Sequence, residues 1–190
     1  PLYGPQNASG ILIGSGSIVK HKSHIYAFCS GERDNHAIYL VRWKFKDFAN
    51  GFLGDMQWWY GYKGWIYHWK AVMKPIPVFK RGQTEFSVHP ELPAYEYTTY
   101  ISFQTEGIHS PYIFKRFGDS VIGKWGNFEP IYKVQLKKNQ FIYGAKAHPE
   151  LAGGDIIVTY NKNSFDFFDL FEDDTIYYPQ FLKVSKNQIH

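Results

Sequence analysis

The segment Ala147-His148-Pro149-Glu150-Leu151 lies between two apolar, strand-like runs, 141–143 and 155–160. The same tetrapeptide, His-Pro-Glu-Leu, occurs earlier at 89–92, and it is again flanked by two strand-like runs. The copies begin 59 residues apart, at His89 and His148. Repeats of this order are typical of stacked supersecondary units. We therefore interpret the two copies as equivalent turns in consecutive units of a repeated β-sheet fold.

Composition favours an all-β protein of ordinary globular character. Of the 190 residues, 44% are hydrophobic and 19% are aromatic, and aromatic side chains favour pleated, half-buried strands. No segment sustains a helical period, and short strands alternate with turn signals about every 8–12 residues, which is typical of all-β folds. The same aromatic residues could also stack on a ligand, but a β-sheet core is the simpler explanation.

The strand-like runs group into three blade-like units, at about 14–70, 83–135 and 141–184. The first two units each contain enough runs for four strands, and the third has only three before the chain ends. Four-stranded units that repeat at about 60 residues predict a β-propeller, which needs typically four to eight blades. We therefore expect residues 1–190 to form the C-terminal part of one β-propeller domain, whose ring is incomplete without a further segment or chain.

Several motifs near the end of the chain resemble those of a known family. The segment Tyr143 to Leu151, the strand end Val158-Thr159-Tyr160-Asn161-Lys162-Asn163 and the run Tyr177-Tyr178-Pro179-Gln180-Phe181 resemble the closing blade of the domain-of-unknown-function 4185 family. Those proteins are five-bladed propellers similar to glycoside hydrolase family 43. Two positions depart from the pattern, because Lys124 replaces a proline and Gln180 replaces an arginine. The resemblance implies that this chain supplies about three of five blades.

The resemblance implies a glycoside-hydrolase-like propeller that acts on a polysaccharide or glycan in a central channel. Glycosidases use two carboxyl groups, one of which is protonated at the working pH. Glu85 lies at the start of a predicted inner strand and is the candidate general acid, while the resemblance places the base on a blade outside this chain. A non-catalytic propeller that binds carbohydrate or protein is the alternative, so the sequence leaves open whether the protein is an enzyme.

Five further residues are candidates for substrate binding. They are His148, His89, Trp58, Trp59 and Asn161. A histidine at the end of an inner strand can face ligand, or it can hold a turn through a backbone hydrogen bond, and the repeat of His-Pro-Glu-Leu favours at least a partly geometric role. The tryptophans could form a sugar-stacking wall or a packed outer strand, and packing is the simpler explanation.

Charge and composition favour some partners over others. The net charge is +4, but basic residues are scattered and form no block, which argues against nucleic-acid binding. No apolar run is long enough to predict a membrane span. We expect a carbohydrate ligand, a second chain or N-terminal fragment that completes the propeller, and a secreted or extracytoplasmic location. No metal site or cofactor is predicted, although a calcium ion in the channel is compatible with the resemblance.

Overall fold

The structure is a computed structural model that describes residues 10–71, 73–91, 99–151 and 155–185. It is an all-β structure of three antiparallel sheets, with two short helices, α1 (Phe45–Ala49) and α2 (Asp169–Glu172). The strands are β1 (Ile11–Leu12), β2 (Ile18–His21), β3 (His24–Gly31), β4 (Ala37–Lys44), β5 (Gln57–Trp59), β6 (Trp65–Tyr67), β7 (Ser87–Pro90), β8 (Tyr100–Thr105), β9 (Tyr112–Gly118), β10 (Glu129–Lys133), β11 (Gln140–His148), β12 (Ile156–Ser164) and β13 (Gln180–Val184).

Each sheet is built from strands that follow one another in the chain. The first is β1-β3-β4-β5-β6 with β2 also paired to β3, the second is β7-β8-β9-β10, and the third is β11-β12-β13. The three antiparallel sheets confirm the prediction of an all-β fold and are those expected of an incomplete β-propeller. The third sheet has three strands in the part of the chain that the structure describes, as expected.

The first sheet differs from the prediction of four strands. Two short additional strands, β1 and β6, extend it to six strands. β1 pairs with Ser30 and Gly31 while β2 pairs with residues 24–27, so both lie along the same side of β3. Together they extend the sheet along one edge of β3, with an interruption at Gly14–Gly16. Residues 95–98, which the sequence assigns to a strand leading into β8, lie outside the described residues.

Contacts divide the chain into two compact units. Among the described residues, unit 1 comprises 10–71, 73–84, 90–91, 99–100 and 118–125, and unit 2 comprises 85–89, 101–117, 126–151 and 155–185. The core of unit 1 forms on the long central strands β3 and β4, where Phe28, Cys29 and residues 38–41 are fully buried. Burial of such side chains provides the main driving force for folding.

Unit 2 has its own core, formed between the second and third sheets. Its buried members are Ile101, Phe103, Ile113, Val134, Ile142, Ala145, Ala147, Val158, Tyr160 and Val184. A hydrogen bond also joins the two sheets, since the backbone N–H of Ala147 donates to Ser87 Oγ at 2.7 Å. This pairing fixes the first strand of the third sheet against the first strand of the second.

Candidate functional site

A bulge in β11 creates the most distinctive polar site of unit 2. Tyr143 pairs with Asn161, and Lys146 pairs with Thr159, so β11 advances three residues where β12 advances two. Gly144 lies within this bulge, between Tyr143 and Lys146, and has φ +66°. Bulges of this kind often carry a glycine in the left-handed conformation, which a residue with a Cβ adopts only under strain. The bulge bends β11 beside Tyr143 and Asn161.

The side chains of Glu85 and Asn161 converge on Gly144. A Cβ built on Gly144 would lie 2.9 Å from Glu85 Oε2 and 3.3 Å from Asn161 Nδ2. The missing side chain of Gly144 therefore provides the space in which the carboxylate lies. Glu85 itself is exposed and immediately precedes the buried Phe86 that leads into β7. The site thus combines a solvent-accessible carboxylate with an amide that can donate hydrogen bonds.

Tyr143 provides a phenol at the same site. Burial raises the pKa of Tyr143, and the neighbouring Tyr177 and Glu85 raise it further because each disfavours a second negative charge nearby. Tyr143 therefore stays protonated and can donate a hydrogen bond at neutral pH. We define the Glu85 site as Glu85, Tyr143, Gly144, Asn161 and Tyr177. Its carboxylate, amide and phenols can bind the hydroxyl groups of a polar ligand.

The predicted binding residues occupy different environments. Glu85 and Asn161 come together beside Gly144. His148 is half-buried at the end of β11, where Nε2 lies 2.8 Å from Thr159 Oγ1 and Nδ1 lies 3.3 Å from Glu150 Oε1. His89 is only 6% exposed, and its ring stacks on Phe103 with the centroids 5.8 Å apart. Both histidines therefore have extensive contacts within the protein.

The two candidate tryptophans belong to unit 1. Trp58 lies on β5, pairs with Val41 of β4, and is only 3% exposed within the core of that unit. Trp59 is half-buried and packs against Trp65 of β6, with ring centroids 5.2 Å apart. Both tryptophans therefore pack within the first sheet, where β5 is paired with β4 on one side and with β6 on the other.

Sequence reasoning missed a polar cluster in the loop between β3 and β4. Glu32 Oε1 accepts hydrogen bonds from Ser30 Oγ at 3.0 Å and Thr84 Oγ1 at 2.7 Å. Asp34 accepts a hydrogen bond from the Tyr39 hydroxyl and pairs with Lys74 Nζ at 3.0 Å. Tyr39 and Lys74 hold the pKa of Asp34 below its usual value. These partners lie up to 52 residues away in sequence, so no local motif reveals them.

The acidic segment 166–174 is organised around one buried carboxylate. Asp173 accepts hydrogen bonds from Gln140 Nε2 at 2.9 Å and from both the N–H and the hydroxyl of Thr175, and it pairs with Lys137 Nζ at 3.0 Å. These donors hold its pKa far below the usual range. Among the residues that the structure describes, no group of three or more His, Cys, Asp or Glu side chains is placed to hold a metal ion.

Comparisons with known proteins show similarity at the level of structure. No family model and no curated protein matches the sequence. A crystal structure of a putative hydrolase from Bacteroides ovatus matches with a TM-score of 0.66 and 15% identity, over 91% of this chain and 44% of that chain. A thermostable family-43 glycoside hydrolase matches with a TM-score of 0.33 and 15% identity, over 84% of this chain and 67% of that chain.

The match to the putative hydrolase shows a similarity of fold alone. This chain spans less than half the length of the putative hydrolase, and the similarity of fold covers most of this chain. Among the described residues, no helix has both the length and the apolar character needed to cross a bilayer.

Proposed function

We propose that this protein is a glycoside-hydrolase-like β-propeller that acts on a polysaccharide or glycan, with Glu85 as its general acid. The observation that carries the proposal is the meeting of the exposed Glu85 carboxylate with the Asn161 amide at the Gly144 bulge, beside the Tyr143 phenol. A glycosidase needs a carboxylic acid that reaches the glycosidic oxygen, and donors that hold the sugar hydroxyl groups. The resemblance in the closing blade and the fold of the putative hydrolase support the same reaction class.

The role of Glu85 is tested by Glu85→Gln in the full-length protein. Release of reducing ends would be followed on a panel of plant and bacterial polysaccharides, with Glu172→Gln, at an exposed position of α2, as the matched control. Loss of an acid catalyst lowers turnover by at least about 10²-fold, and the control should retain wild-type turnover. Equal turnover in the two variants would exclude Glu85 as the acid.

A second carboxyl group is required, and we propose that a further segment or a second chain supplies it while completing the propeller. The putative hydrolase extends well beyond the region matched by this chain, which supports a larger active assembly. Native mass spectrometry of purified protein from its source would detect a co-migrating chain or a longer product. A homogeneous, active species of only these 190 residues would refute this part of the proposal.

The alternative is a non-catalytic propeller that binds carbohydrate or protein. The observation that favours it is Gln180, which replaces the arginine of the resembled family. Its amide Nε2 donates within its own segment, to the carbonyls of Thr175 at 3.3 Å and Tyr178 at 3.1 Å. Binding to the same polysaccharide panel without any release of reducing ends would favour this alternative and exclude hydrolysis.

Location and cofactor use follow from the same proposal. A polysaccharide substrate favours a secreted or extracytoplasmic protein, which fractionation of the source cells would test. Acid–base hydrolysis by two carboxyl groups requires no cofactor. A channel calcium ion stays a prediction, and elemental analysis of the purified protein, with turnover measured before and after chelation, would test it.

A further inference from the structure

Tyr177 has a backbone conformation that its residue type disfavours. Its φ is +69°, in the left-handed region that bulky residues seldom occupy, because the Cβ approaches the following carbonyl. The described non-glycine residues that share a positive φ are Lys22, Asn35, His36, Arg81, Asn139 and Tyr177. Strained backbone of this kind persists only where the surrounding structure fixes it, and it is concentrated at functional sites.

Fixed points on both sides of Tyr177 hold it in this conformation. The preceding Ile176 is only 4% exposed, and its N–H donates to the carbonyl of Asp173 at 3.1 Å. The N–H of Tyr177 donates to the carbonyl of Lys162 on β12 at 3.1 Å. Three residues later, Gln180 begins β13 and pairs with Tyr160. The left-handed residue therefore redirects the chain at the edge of β12.

Packing does not explain why a tyrosine occupies this position. The side chain of Tyr177 is 58% exposed, so its burial contributes little to stability. Glycine would satisfy the backbone at lower cost, because it adopts positive φ without a steric penalty. The aromatic side chain is therefore retained against the backbone preference, which indicates a role at the surface.

The position of Tyr177 connects it to the Glu85 site. It hydrogen-bonds to Lys162, which follows Asn161 on β12, and Asn161 pairs with Tyr143 on β11. Both Tyr177 and Glu85 interact electrostatically with the phenol of Tyr143. The carboxylate and the second phenol therefore both influence the ionisation of Tyr143, and Tyr177 is tied by its backbone hydrogen bond to the residue that follows Asn161.

We propose that Tyr177 is a sugar-binding residue of the Glu85 site, and that its left-handed backbone holds an exposed phenol ring in place for the ligand. The inference rests on the proposed function and deepens it, since it assigns a specific aromatic contact to the carbohydrate. An exposed tyrosine presents an apolar ring face to the C–H groups of a sugar, and a hydroxyl to its polar groups. A side chain already held in place also loses little entropy on binding.

The test compares two substitutions of Tyr177 with the same substitutions of Tyr178, which is equally accessible at 67% exposure. Tyr177→Gly removes the ring and the strain, and Tyr177→Phe removes the hydroxyl alone. Each full-length variant would be melted, and its binding to an array of immobilised neutral and acidic oligosaccharides would be measured. We expect Tyr177→Gly to melt at the wild-type temperature or about 2–4 °C higher, and to lose at least about tenfold in affinity.

Loss of the hydroxyl alone should weaken binding by about 3–10-fold in Tyr177→Phe, as for one hydrogen bond. The Tyr178 variants should bind the array like wild type. A lower melting temperature for Tyr177→Gly would overturn the inference, because the ring would then serve folding. Wild-type affinity in both Tyr177 variants would overturn it as well.

A ligand-independent measurement separates this inference from the proposed function. NMR titration of the tyrosine ring carbons should show a lower pKa for Tyr143 in Tyr177→Phe than in wild type, because one of the interactions that raise it has been removed. If the pKa of Tyr143 is the same in Tyr177→Phe as in wild type, Tyr177 does not lie near Tyr143, and the inference is overturned without any ligand measurement. If Glu85→Gln abolishes turnover while both Tyr177 variants act like wild type, the inference fails and the proposed function stands. If the wild type binds no oligosaccharide on the array, both fail.

Discussion

The bulge glycine offers a sharp test of the Glu85 site, through Gly144→Ala. A Cβ at this position would lie 2.9 Å from Glu85 Oε2, closer than carbon and oxygen atoms approach without displacement, and 3.3 Å from Asn161 Nδ2. The contacting oxygen is at the end of a flexible side chain, so the carboxylate can move aside at little cost. We therefore expect a displaced Glu85 rather than a disrupted sheet.

Gly144→Ala should also lower the stability of the fold, because alanine is strained in the backbone conformation of Gly144. A second glycine with a similar φ provides a control for this strain. Gly144 has φ +66°, and an alanine in the left-handed region costs about 1–2 kcal/mol. Gly107 has φ +60°, and a Cβ on it would meet nothing within 4 Å. Gly107→Ala therefore carries the same backbone cost without the contact to Glu85. For a chain of this size, both variants should melt about 2–8 °C below wild type.

Activity should distinguish the two variants. A displacement of about 1 Å at a catalytic group can lower turnover by about 10²-fold, so Gly144→Ala should lose about 10–100-fold in polysaccharide hydrolysis, while Gly107→Ala stays near wild type. Urea denaturation would measure the free energy of unfolding, and release of reducing ends would measure turnover. Equal turnover in the two variants, at equal stability, would refute the placement of the Glu85 carboxylate at the bulge.

Two further predictions concern buried groups. Asp173→Asn should lower the free energy of unfolding by about 1.5–3 kcal/mol, because hydrogen bonds to a charged acceptor are lost, whereas Asp174→Asn, at an exposed position, should change it by less than about 0.5 kcal/mol. The pKa of Asp173 is lower in the folded protein than in the unfolded chain. Its stabilisation is therefore complete above about pH 4 and is lost as the pH falls further, so wild type and Asp173→Asn should converge in acid denaturation. A constant difference down to low pH would contradict this. Burial raises the pKa of Cys29 to about 12, so a thiol reagent should label it only after unfolding. Labelling of the folded protein at neutral pH would show that Cys29 is accessible.

The sequence predicted the strands that carry their own apolar pattern. The apolar run 141–143 lies in β11 (Gln140–His148), and the run 155–160 forms the beginning of β12 (Ile156–Ser164). Strands defined by distant pairing were missed, because β1 has only two residues and is a strand through its pairing with Ser30 and Gly31. Local sequence contains no signal for such a pairing.

The candidate site shows the same limit at the level of side chains. Glu85 and Asn161 were suggested by a motif and by position in a strand, and both can be read along the chain. Gly144 and Tyr177 belong to the site for other reasons. The bulge arises from a one-residue mismatch between β11 and β12, and the left-handed turn at Tyr177 depends on a hydrogen bond to Lys162, 15 residues before it. Both features depend on register, which a single sequence does not specify.

The repeated tetrapeptide shows why local identity does not determine function. His89 and His148 each lie in the first strand of their sheet, close to its end, and each is followed by Pro-Glu-Leu. His89 is buried against Phe103, whereas His148 is half-buried and lies 2.8 Å from the hydroxyl of Thr159. The backbone position is the same in the second and third sheets, so the motif accounts for the strand end in each. The environment differs because the ring of His89 stacks on Phe103 of β8, whereas His148 contacts Thr159 of β12. Any ligand-binding role must therefore be argued for each histidine from the residues around it, and the polar, more accessible surroundings of His148 favour it over His89.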